Sequence, residues 1–148
     1  MKSIFDETTK DELIKRINTL NEDSMAQWGK MNVYQMVKHC RLWEEWISSN
    51  QNYKQALIGR LFGKIALKNI LKDEKLLRRN TPTLREFRIK EKDGDVQSEK
   101  TKWIALINDY AHFLKQDFIH PFSGKMTKEQ IGYLAYKHSD HHLRQFNG

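Results

Sequence analysis

The sequence holds one cysteine, two prolines and seven glycines in 148 residues. A lone thiol, Cys40, excludes an intrachain disulfide framework and fits a reducing compartment. So few breakers favour helix from the start. There is no low-complexity run and no repeat at solenoid periods. No apolar stretch approaches the ~18 residues that a membrane-spanning helix needs. The opening segment MKSIFDETTKDEL has no apolar run of the secretory type. These absences lead to the expectation of a single cytoplasmic domain over residues 1–148, long enough to bury a core.

Positive charge is abundant. The chain carries 26 Lys and Arg against 19 Asp and Glu, a formal net charge of +7. Such a balance suits nucleic acid, an anionic membrane or an anionic substrate, and also serves plain solubility.

Apolar spacing of three and four places a first helix over Thr9 to Leu20, through Leu13, Ile14, Ile17 and Leu20. Asn32 with Gln35 forms a capping-box pattern that opens a second helix over Val33 to Ser49. A third, long amphipathic stretch runs from Lys54 to Leu77. Leu57, Leu61, Phe62, Ile65, Ile70 and Leu71 form its apolar side, and Arg60, Lys64, Lys68, Lys72, Lys75 and Arg79 form a basic stripe. Pro82 and Asp93-Gly94 mark turns after it, and LREFRIK reads as extended. A fourth helix is expected from Glu99 to Phe118. Thr127 with Gln130 then opens a fifth over Lys128 to Gln145. Several amphipathic helices without a clear hairpin argue for an all-α bundle.

Three of the six histidines fall in KHSDHHLRQ near the chain's end. At ~100° per residue, His138 and His142 share a face with Ile131, Leu134, Ala135 and Gln145, so both point inward. An i, i+4 histidine pair lets two rings reach one point. His39 lies on the second helix among Met36, Leu42, Trp43 and Trp46, one imidazole on an apolar stripe. Two helices thus supply three neutral nitrogens with open coordination positions beside them. The arrangement lacks the glutamate of the zinc-protease HExxH pattern. His141 is turned partly away, and Asp140, nearly opposite His138, is expected to face solvent. Cys40 is rotated about 100° from His39, which argues against ligation.

The blocks WGKMNVYQMVKHC, RRNTPTLREF, HPFSGKMT and YKHSDHHLRQF occur in this order from Trp28 to Phe146. Together they resemble the DinB/YfiT-like superfamily, and within it a branch to which no reaction is assigned. The resemblance implies a four-helix bundle of up-down-down-up topology. An extra amphipathic helix then lies between bundle helices two and three. It implies a divalent metal on the bundle axis, zinc or nickel, with ligands His39, His138 and His142. Relatives of that kind include thiol-dependent transferases and isomerases, and others described as metal-dependent hydrolases.

The expected function is therefore a metal-dependent hydrolase or low-molecular-weight-thiol transferase acting on a small molecule. His141 is the candidate acid or base. Gln145 and Trp43 are candidates for supporting a ligand or touching substrate. His120 is expected to shape the HPFSG loop. The alternative is a non-catalytic interaction module using the basic helix 60–79. No helix-turn-helix, zinc-finger or interleaved aromatic pattern favours nucleic acid. Gly59 and Gly63 permit close helix approach, which leads to the expectation of a homodimer.

Overall fold

The computed structural model describes residues 1–49, 54–114 and 118–148. Among these the chain is mostly helical. The helices are α1 (Glu7–Thr19), α2 (Val33–Ser48), α3 (Leu57–Leu71), α4 (Val96–Asp109) and α5 (Lys128–Gln145). Two short strands, β1 (Ile119–His120) and β2 (Gly124–Lys125), pair antiparallel. No helix among the described residues is long and apolar enough to cross a membrane.

Local chemistry sets the helix starts. Asn32 accepts from the Gln35 amide, and the Gln35 side chain accepts from the Asn32 amide, so the capping box opens α2 where the pattern predicts. Thr127 and Gln130 do the same for α5. Asp95 caps α4 through the Ser98 amide at 2.8 Å, so the helix begins at Val96, three residues before the expected Glu99. At its far end α4 tightens into a single 3-10 turn at Tyr110–His112, and Phe113 is extended. Part of its expected continuation, 115–117, lies outside the described residues.

α2 packs along α4, α1 packs against α4 and α5, and α5 also meets α2. Their shared core includes Leu13, Ile17, Met36, Trp103, Ile107 and Leu143. Buried lysines tie helix ends together. The Lys100 ammonium of α4 donates to the Asn18 and Leu20 carbonyls at the end of α1. The Lys137 ammonium of α5 donates to Ile70, Asp73 and Lys75 carbonyls at 2.7, 2.7 and 2.9 Å, closing the end of α3.

The third helix departs from expectation in three ways. It is shorter than Lys54 to Leu77, because the Ala56 amide is held by the Pro121 carbonyl at one end and Lys137 takes the carbonyls at the other. Lys75 and Arg79 therefore leave the basic stripe. Its apolar side is not buried: Leu57, Ile58, Leu61, Phe62 and Ile65 are exposed. α3 docks instead through Gly59, Gly63 and Leu67. A Cβ at Gly59 or Gly63 would fall 2.4 or 2.0 Å from the Phe122 carbonyl oxygen. The two glycines thus serve a contact within the chain and give no support to a homodimer.

Around the loop that α3 grips, the expected absence of a hairpin is corrected by β1 and β2. His120 shapes this turn: its Nδ1 accepts from the Phe122 and Ser123 amides, each at 3.1 Å. The LREFRIK segment is not wholly extended either, and Arg85–Phe87 forms one 3-10 turn.

Candidate metal centre

α2 delivers His39 and α5 delivers His138 and His142 to one point. The three ring centroids lie 4.7 to 5.1 Å apart. One nitrogen of each ring can be chosen so that all three lie within 4.8 Å of one another. The His39 and His138 Nε2 atoms are 3.1 Å apart. Two imidazole lone pairs at that separation repel, so a proton or a cation must lie between them. Nitrogens about 2.0–2.1 Å from a tetrahedral zinc sit roughly 3.3 Å from each other. The spacing of this pair fits such an ion.

Two rings are oriented from behind. His39 Nδ1 is 2.9 Å from the Phe87 carbonyl oxygen, so Nδ1 carries the proton and Nε2 is left as the donor atom. His142 Nδ1 is 3.0 Å from Gln145 Oε1, which sets the same tautomer. Gln145 is itself fixed, because its Nε2 donates to the Trp28 carbonyl at 2.6 Å. Carbonyl or carboxylate partners of this kind hold metal-binding histidines in position and raise their basicity. His138 is held differently. Its ring stacks on Trp43 with centroids 4.3 Å apart and planes at 20°, and its buried Nδ1 has no hydrogen-bond partner among the described residues.

Burial dominates the electrostatics. It pushes the His39 and His138 imidazoles below their usual range, and His142 to about 3. All three rings are neutral at physiological pH, the form that donates to a metal. Cys40 is buried with its thiol 3.8 Å from the Met36 sulfur, and burial raises its pKa well above the usual thiol value. It is not part of the cluster.

The family model for a protein of unknown function, DUF1569, matches residues 3–148. The chain belongs to that family. No curated protein and no solved structure matches it. In this DUF1569 chain the residues singled out in the sequence divide into two groups. His39, His138, His142, Gln145 and Trp43 come together. His141 stands beside them, its ring 5.1 Å from that of His142 and 5.7 Å from Trp28. It faces a cleft of about 780 Å³ that Trp28, Leu76, Arg79 and Arg144 also line. The Arg79 guanidinium lies 4.1 Å over the Trp28 ring.

Asp140 corrects an expectation, since it is 5% exposed rather than turned to solvent. Its carboxylate accepts from Arg16 of α1 at 2.7 Å and from Arg144 at 2.9 Å. The helix face opposite His138 is covered by α1, so phase alone misplaced it. The sequence reading also missed Phe87 and Trp28 as supports. Both act through backbone carbonyls, which carry no residue signature. It missed Glu44 too. This fully buried carboxylate of α2 accepts from the Tyr110 hydroxyl and, at 3.2 Å, from Ser139 of α5. Burial raises its pKa to about 7.

Proposed function

We propose that this chain is a metal-dependent enzyme of the cytoplasm. It acts on a small molecule as a hydrolase or a low-molecular-weight-thiol transferase. His39, His138 and His142 hold a divalent ion, zinc or nickel. On this reading α1, α2, α4 and α5 form a DinB-like bundle of up-down-down-up order, and α3 is the extra helix between its second and third members. One observation carries the proposal. The Nδ1 atoms of His39 and His142 are both committed to carbonyl oxygens, so their Nε2 lone pairs are left as the donor atoms beside His138.

When bound, a divalent metal supplies Lewis acidity that activates water or a thiol for attack on a small electrophile. The protein's residues do the rest. Three neutral ligands leave the ion's full charge in place and leave coordination positions open. Trp43 fixes the His138 ring and Gln145 fixes that of His142. Trp28 and Arg79 wall the cleft where substrate sits. His141 faces the same cleft, and burial holds its pKa below the usual imidazole value, so it meets substrate as a neutral proton acceptor at pH 7.

The test is calorimetric titration of chelator-stripped protein with Zn²⁺ and Ni²⁺. Binding at a thousandfold excess over Kd should add about 4 kcal/mol of stability. Gln145→Leu should weaken binding about tenfold or more while leaving the three ligands in place. A stripped protein that binds neither ion, with no rise in melting temperature, overturns the proposal.

A further inference from the structure

α3 presents to solvent what most helices bury. Leu57, Ile58, Leu61, Phe62 and Ile65 are between 56% and 77% exposed. At ~100° per residue these five cover an arc of about 140° over two and a half turns. Such a contiguous apolar face marks an interaction site. The helix does not need it for docking, which runs through the glycine strip, Leu67 and the Lys137 clasp.

The charge around the face is of one sign. Arg60 and Lys64 border it along one edge. Lys68 and Lys72 continue over the same arc toward the C-terminal end. No carboxylate occurs from Leu57 to Lys72. The first ones after the helix already have partners: Asp73 lies 3.7 Å from the Lys75 ammonium, and Glu74 lies 3.5 Å from the N-terminal amine.

We infer that α3 is an interfacial helix that seats this protein on an anionic lipid surface. Leu57, Ile58, Leu61, Phe62 and Ile65 enter the boundary between headgroups and acyl chains, and Arg60, Lys68 and Lys72 meet the phosphates, while the Lys64 ammonium holds the Lys125 carbonyl. Charge decides between occupants. A two-fold pairing of this face with a second copy would gather the cations of both helices in one interface with no acid to meet them. Nucleic acid would meet the cations and leave the apolar arc in water. An anionic bilayer satisfies both.

The experiment is cosedimentation of the full chain with phosphatidylcholine vesicles, with and without phosphatidylglycerol. Binding is expected only when phosphatidylglycerol is present, and should weaken as salt rises. Leu61→Ser and Ile65→Ser should each lower partitioning about tenfold. Arg60→Gln and Lys68→Gln should each lower it about fivefold. These side chains are exposed, and unchanged circular dichroism confirms that the variants fold. Protein stripped of metal should bind equally, which separates this inference from the metal centre. Absence of binding to the anionic vesicles overturns it. So does binding that survives Leu61→Ser with Ile65→Ser. A wild-type dimer that this double variant converts to monomer, without vesicle binding, assigns the face to a second copy instead.

Discussion

α3 and α5 invert the usual relation between composition and burial. α3 is rich in Leu and Ile and exposes most of them. α5 is rich in charged and polar residues, yet Lys137, Ser139, Asp140, His142 and Gln145 are all buried. The difference is one of partners. Every one of those α5 side chains has a hydrogen bond or ion pair: Lys137 with the end of α3, Ser139 with Glu44, Asp140 with Arg16 and Arg144, and His142 with Gln145. A polar group costs little inside when its bonds are made, and much when one partner is removed. α5 is therefore the stiff spine that carries two of the three histidines, and α3 is an appended surface element.

This contrast predicts where substitutions matter. The largest effect is expected at Glu44, which faces Ser139 of α5. Its carboxyl titrates near 4.5 when unfolded and at about 7 when folded. The folded state thus keeps a proton that the unfolded state loses, so this group's contribution is full below pH 4.5 and is lost as pH rises through 7. Glu44→Gln removes that dependence. Urea unfolding of both proteins should show the variant gaining about 3 kcal/mol relative to wild type between pH 4.5 and 8. Taking the difference also cancels the opposite trend of the buried histidines, whose lowered pKa values withdraw stability as pH falls below about 6.5. A flat difference would mean that Glu44 is not the buried acid described here.

Asp140→Ala should cost about 2 kcal/mol, because it opens a gap at a buried position and takes the carboxylate from the part-buried Arg16 guanidinium, while the half-exposed Arg144 turns to water. Lys137→Met keeps the stem but leaves three carbonyls of the α3 end unpaired. It should cost about 2 kcal/mol and raise amide exchange in α3 before α5. Smallest of all, Leu61→Ser in α3 should change stability by less than about 0.5 kcal/mol in the absence of lipid. A loss of several kcal/mol there would show that the α3 face is covered in solution, and the comparison would fail.

The same two helices show what the sequence could reveal. The capping boxes at Asn32 and Thr127 were legible because they are local. So was the inward phase of His39, His138 and His142, since each helix carries its own period. Phase gives an angle around a helix, however, and not the number of sides that neighbours cover. Asp140 was read as solvent-facing because α1 was invisible on that side. Leu61 and Ile65 read as the apolar side of a helix, and their period does not show that no neighbour covers it. Phe87 and Trp28 contribute carbonyls, and no residue type announces that role.

The most direct measurement is the metal content of protein purified without a polyhistidine tag, wild type beside His138→Ala. The three-histidine centre predicts a single divalent ion per wild-type chain, nearly absent from the variant while its helical content is retained. Wild-type protein that carries no metal, and takes up none when incubated with zinc or nickel, would contradict it.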